Sequence, residues 1–347
     1  MNLSICKPQQ QLAVDVDAVC RVIAATQLPS GEIPWSTGDK TDPWDHVEAA
    51  MGLVVGGCLQ QARHAFDWLR DMQLADGSWF SAYRGGLPAD RTRETNLSAY
   101  IAVGVLHYWL VSGERAFLES MWESVRSAID FAVGHQVHNG AIHWAVSPQG
   151  KTDPMALLTG CSAIYLSLKC ALAIAAELGI PAPSWEDALH RLGRAIAERP
   201  YLFNMTKSRF SMDWFYPVLC GAVSGEAAER RIERGWKKYV VEDLGVRCVS
   251  DRPWVTIAES AELVLTLAAM GETEKARIVF NWLLEHRFDD GSFWCGFTFP
   301  DMTLWPEEKI TWTNAAVLMA ADALFELTPG GKIFSHRWWT QSGYMPR

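Results

Sequence analysis

Gln73-Leu-Ala-Asp-Gly77-Ser-Trp79 decides the fold of this chain, because its pattern returns three more times. Gln27-Leu-Pro-Ser-Gly31 runs on to Trp35, Gln136-Val-His-Asn-Gly140 to Trp144, and Arg287-Phe-Asp-Asp-Gly291 to Trp294. In each copy a helix ends on Gln or Arg, and the glycine four residues later permits the left-handed turn that reverses the chain. A pattern that recurs this way marks an array of like units, and the tryptophan after each turn is expected in an equivalent position, stacked on the next unit.

Between the turns the sequence reads as paired helices. One set is charged and amphipathic: 11–26, 59–73, 115–136, 184–199, 225–240 and 272–287. Its apolar residues fall at three- and four-residue steps, as at Ala65, Trp68, Leu69 and Met72. The other set is apolar on nearly every face, as buried helices are: 42–55, 94–110, 153–178, 212–223, 256–270 and 311–327. Six exposed helices alternating with six buried ones predict an all-α fold, an α/α toroid of six hairpins with an inner and an outer ring. No linker interrupts it, so residues 1–347 are read as one domain with a short aromatic tail.

The copy at Gln73–Trp79 matches the glutamine-tryptophan repeat of squalene cyclases, and the chain resembles the terpenoid cyclase/protein prenyltransferase toroid superfamily. The resemblance implies an enzyme acting on an isoprenoid, with aromatic walls stabilising carbocations. Two departures stand beside it. The Asp-x-Asp-Asp acid motif of the cyclases is absent, since Asp15-Val-Asp17-Ala18 fits neither its pattern nor an inner helix, and no counterpart of the prenyltransferase Asp/Cys/His zinc site is visible.

A net charge of −9 without a Lys/Arg cluster excludes nucleic acid as a partner. The eight cysteines form no CxxC pair, and with no signal peptide at the start a reducing cytoplasm is expected. The apolar stretches are interrupted, as by Lys169, so no membrane span is expected. P-loop, dinucleotide, GxSxG and HExxH motifs are missing, and neither a metal nor a cofactor is expected.

Chemistry is expected where the inner helices begin, because their free N–H groups and dipoles point into one mouth. The starts carry Asp42, Trp44, Asp45 and Glu48; Glu94 and Asn96; Asp153; Asp213, Trp214 and Tyr216; Trp254 and Glu259; and Trp312. Asp42 and Asp153 both follow Lys-Thr and precede proline, which reads as N-capping. Glu48, Asp213, Glu259 and Glu262 stand among apolar residues, where an unpaired carboxylate is costly. His46 and His107 read as structural.

The candidate catalytic residues are therefore Asp45, Glu48, Glu94, Asp213 and Glu259. The candidate substrate-binding residues are Trp44, Trp79, Asn96, Trp214, Tyr216, Trp254 and Trp312. Asp213, between Met212 and Trp214, is expected to be the proton donor, opposite Asp45 or Glu48 as base or cation stabiliser. The substrate is a small molecule, an isoprenoid on the resemblance. The alternative is a six-hairpin glycosidase, in which tryptophans stack on sugar faces and two carboxylates divide acid and base roles.

Overall fold

The structure, a computed structural model, describes residues 14–344. The first hairpin is α1 (Val16–Thr26) with α2 (Pro43–Val55). The second is α3 (Leu59–Met72) with an inner rod broken at Tyr100 into α4 (Thr95–Ala99) and α5 (Ile101–Ser112). Then follow α6 (Arg115–Gly134) with α7 (Leu158–Leu178), α8 (Pro183–Glu198) with α9 (Ser211–Leu219), α10 (Gly225–Tyr239) with α11 (Ile257–Met270), and α12 (Thr273–Leu283) with α13 (Thr311–Phe325). The inner helices touch in the order α2, α5, α7, α9, α11, α13, and α13 returns to α2, which closes the ring. Outer helices sit over the seams: α1 against α13 and α2, α6 against α5 and α7, α12 against α11 and α13. This is the expected all-α toroid.

The glycine turns explain the repeat physically. Gly31, Gly77, Gly140 and Gly291 all have φ between 86° and 97°. At the first three a Cβ would collide with a backbone carbonyl of the following outer helix, His64, Ser127 or Arg191. The glutamine before each turn fastens it to that same helix. Gln73 Nε2 donates to Gly77 O and to Ser124 O, both at 2.9 Å, and Gln27 and Gln136 make the matching pairs to Gln61 O and Ala188 O.

The tryptophans are not equivalent, however. The buried position two residues after the glycine holds Trp79, Ile33, Ile142 or Phe293, each no more than 1% exposed. Trp79 fills it as packing, its indole donating to Leu69 O at 2.8 Å, and so leaves the substrate-binding set. Trp35 and Trp144 lie two residues further on and reach the mouth instead.

Links from inner to outer helices are short, as at 113–114, whereas links from outer to inner are long, as at 73–94 and 284–310. Among the described residues every strand lies in the long links, so the three small antiparallel sheets they form gather at the end where the inner helices begin. They are β1 (Ala82–Arg84) with β2 (Leu87–Asp90); β3 (Arg93–Glu94), β4 (Ala145–Val146) and β5 (Thr152–Asp153); and β6 (Val240–Val241), β7 (Gly245–Arg247), β8 (Trp254–Thr256) and β9 (Gly296–Thr298).

Asp153 is one of these strand residues. It does not cap α7, which starts at Leu158; its Oδ1 accepts from Met155 N in a tight turn. Asp42 does cap α2, accepting from Trp44 N and Asp45 N at 3.0 Å with Pro43 in the first turn. Asp15 caps α1 through Ala18 N. Helix α7 is long and apolar enough to cross a membrane by composition, yet 89% of that window is buried, as befits a core helix of the inner ring. The seven described cysteines are free thiols; Cys6 lies outside the described residues.

Candidate active site

The first turns of α2 and α11 and the start of α4 bring five carboxylates into one electrostatic neighbourhood, and Glu262 makes a sixth. Glu48 accepts from Trp44 Nε1 at 2.7 Å and from Tyr100 OH at 3.2 Å. Burial pushes its pKa up to about 7, against those two hydrogen bonds, and the charges of Asp42 and Glu259 add to the push. Asp45 keeps partial solvent contact through the mouth while protein surrounds it; burial, then Asp42 and Glu48, hold its pKa well above the carboxylate range. Lys40 pulls the other way and stands over the Trp35 ring at 4.0 Å.

Glu262 lies one turn beyond Glu259 and accepts from Tyr216 OH at 2.5 Å. Burial, then Glu48 and Glu259, raise its pKa well above the usual range. Glu94 accepts from Trp144 Nε1 at 2.8 Å, and burial raises it as well. Trp35 Nε1 donates to Asp42 Oδ2 at 2.7 Å, so both displaced tryptophans end on mouth carboxylates.

Aromatic rings wall the bore below. Trp44 stacks on Tyr100 at 4.7 Å and tilts against Tyr216 at 5.7 Å. Both tyrosines have raised pKa values, through burial and then the adjacent Glu48 or Glu262. Several buried polar atoms at this end have no protein partner: Asn96 Oδ1, Thr256 Oγ1, Glu259 Oε2 and Trp312 Nε1. Each is a hydrogen bond left for a ligand or water, since a buried polar group without a partner costs roughly 1–3 kcal/mol.

The sequence-derived candidates thus divide. Asp45, Glu48, Glu94 and Glu259 are brought together, with Trp44, Tyr216, Asn96 and Trp312 beside them. Asp213 is elsewhere: its Oδ1 accepts from Thr159 N at 3.1 Å and Thr159 Oγ1 at 2.7 Å, against the first turn of α7. Its pKa is raised by burial, as expected, but Thr159, Arg231 and Lys207 oppose the rise. Trp214 faces the outer ring, stacked on Tyr239 at 5.0 Å with its indole donating to Arg231 O, and is packing rather than pocket. Trp254 stands on β8 at the rim. His46 turns outward, accepting from Ile33 N and donating to Ala65 O, and burial lowers its pKa to about 4.

Glu262 and Tyr100 were missed as site residues. Glu262 had a signal, since a residue three after Glu259 shares its helix face. Tyr100 had none, because its place depends on the break between α4 and α5.

Six helical hairpins around a carboxylate-rich mouth define a six-hairpin α/α barrel of the glycosidase-like class. Solved structures with the same fold include a D-mannose isomerase (TM-score 0.71, 11% identity, 90% of this chain and 96% of that one) and a wild-type glycosidase (0.69, 15%, 91% and 97%). A cellobiose 2-epimerase from Spirochaeta thermophila is a third (0.65, 14%, 89% and 93%). No family model matches the chain. The MMP endo-(1,4)-3-O-methyl-alpha-D-mannosidase of Mycolicibacterium hassiacum is 52% identical over 314 residues, 90% of this chain and 87% of that protein. The chain belongs to the family of that mannosidase.

This kinship overturns the resemblance to terpenoid cyclases and prenyltransferases, and with it the isoprenoid substrate. The glutamine-tryptophan turn reports how hairpins join in a toroid, which unrelated chemistries share. The alternative, an enzyme of the glycosidase kind acting on carbohydrate, is the one supported.

Proposed function

We propose that this chain is an endo-acting glycoside hydrolase that cuts internal (1→4) bonds between 3-O-methyl-α-D-mannose units. The observation that carries the substrate class is the 52% identity to a mannosidase of that specificity along 90% of the chain. The mouth supplies the chemistry. Asp45, whose pKa is raised by burial and the neighbouring carboxylates, donates to the glycosidic oxygen as the C1–O bond breaks. Glu259, whose Oε2 has no protein partner, takes a proton from the water that forms the new bond to C1. Glu48 and Glu262 are tied to Trp44, Tyr100 and Tyr216, which holds an aromatic floor beneath the developing oxocarbenium charge.

The ring geometry favours inversion. Helices α2 and α11 flank α13, so they are next-but-one neighbours. With adjacent axes about 8–10 Å apart, inward carboxylates on such helices approach to roughly 6–9 Å, the inverting range. The test is hydrolysis of an α-(1→4)-linked 3-O-methylmannose oligosaccharide, with products sized by mass spectrometry and their anomers read by NMR at early times. Mid-chain fragments with β-configured new ends support the reading. Release of terminal residues alone, or no cleavage, overturns it.

A further inference from the structure

Trp305 is 61% exposed, the only described tryptophan left so open, and a hydrogen-bonded loop presents it. Its backbone N–H donates to Gly296 O at 2.9 Å, and its carbonyl accepts from Trp254 Nε1 at 3.2 Å. The two indoles meet edge to face at 5.4 Å. Thr298 N donates to Thr303 O, so the 299–305 loop folds back on β9, and Phe299 beside it carries the Arg247 guanidinium at 5.2 Å. Met302 adds a further exposed apolar surface. This corner belongs to the rim: Trp254 lies on β8, which runs straight into α11 five residues before Glu259.

From this arrangement we infer that Trp254 and Trp305 form a distal sugar-binding platform that reads the methyl ethers of the polymer; the inference rests on the function proposed above. A methyl ether replaces a hydroxyl donor with an apolar group. It gains nothing from the carboxylate acceptors inside the mouth, but it packs well on an indole face. An endo-acting enzyme must also hold the chain away from the cleaved bond, and the platform continues the mouth outward along β8. The two regions therefore divide recognition: acids hold hydroxyls near the reacting bond, and indoles hold methyl groups beyond it.

Trp305→Ala and Trp305→Phe are compared with wild type on α-(1→4)-mannose oligosaccharides of equal length, with and without 3-O-methyl groups. The platform predicts that Trp305→Ala raises KM for the methylated chain about fourfold or more, the worth of one buried methylene. It predicts kcat within twofold, KM for the unmethylated chain unchanged, and recovery of most of the loss in Trp305→Phe. Unchanged KM values, or equal rises on both chains, overturn the inference. If wild type cleaves neither chain, the proposed hydrolysis has failed, and titration of tryptophan fluorescence with the methylated oligosaccharide tests the platform separately. Quenching that is lost in Trp305→Ala supports it, and no quenching in wild type overturns it.

Discussion

The two ends of the barrel use the same helix dipoles in opposite ways. At the mouth, where inner helices begin, Asp42, Asp45, Glu48, Glu94, Glu259 and Glu262 converge with Lys40 as the cation acting on Asp45. At the floor, where they end, a cation is buried: Lys169 Nζ donates to Cys220 O at the end of α9 and lies 4.4 Å from the Trp339 ring, while the buried Asp322 near the end of α13 accepts from Thr328 N and Oγ1. His336 donates to Val218 O nearby, on α14 (His336–Gln341), which with the turn Pro329–Phe334 covers this end. Floor groups mostly end on backbone carbonyls, His107 and Asp322 excepted, whereas the mouth leaves acceptors and an indole N–H unpartnered. The floor's Lys169, His336 and Asp322 find partners within the fold, whereas the mouth keeps Asn96 Oδ1, Thr256 Oγ1, Glu259 Oε2 and Trp312 Nε1 without a protein partner.

The largest effect that sharpens this contrast belongs to the mouth. Glu259→Gln keeps the shape of the side chain while removing the base, and it is expected to lower kcat at least about a hundredfold with little change in thermal stability. A variant that loses stability and keeps its turnover would make the mouth as structural as the floor.

The floor should respond in stability instead. Burial lowers the Lys169 pKa to about 8 from an ordinary 10.5. Between those values the unfolded chain binds the proton that the folded chain has released, so this group's contribution to stability climbs as pH rises through that window. The span corresponds to about 3 kcal/mol at most. Buried thiols with raised pKa values lower the stability of both proteins over this window, so the readout is the difference: between pH 7.5 and 9.5 in urea denaturation, wild type should gain stability relative to Lys169→Met. Equal pH dependence in both proteins would remove Lys169 from the account.

The smallest effect belongs to Asp213. Asp213→Asn weakens the acceptor on Thr159 and is expected to cost on the order of 1 kcal/mol, with kcat within about tenfold of wild type. A hundredfold loss of turnover in a folded variant would return Asp213 to the mechanism.

Much of the architecture was legible because glycine turns are enforced locally: positive φ and a close carbonyl admit nothing larger at Gly31, Gly77 and Gly140. The limits appear where one local pattern has two outcomes. Lys40-Thr-Asp42-Pro43 and Lys151-Thr-Asp153-Pro154 read alike, yet Asp42 caps α2 while Thr152 pairs with Val146 and delays α7 to Leu158. Asp213 shows the same limit at the site. Its neighbours Met212 and Trp214 foretold burial, but burial does not say which way a helical side chain points. Glu48, Glu259 and Glu262 were legible as costly buried acids, whereas the hydrogen bonds from Tyr100 to Glu48 and from Tyr216 to Glu262 depend on contacts across the ring.

The central claim is that the mouth divides acid from base, with Asp45 as donor. The most direct measurement is the pH profile of kcat/KM for wild type and Asp45→Asn on the methylated oligosaccharide. A donor works only while protonated, so wild-type activity should fall as pH rises through the raised Asp45 pKa. In Asp45→Asn that alkaline limb should vanish and the rate should drop at least about a hundredfold. An Asp45→Asn enzyme with wild-type turnover and an unchanged alkaline limb would contradict the account.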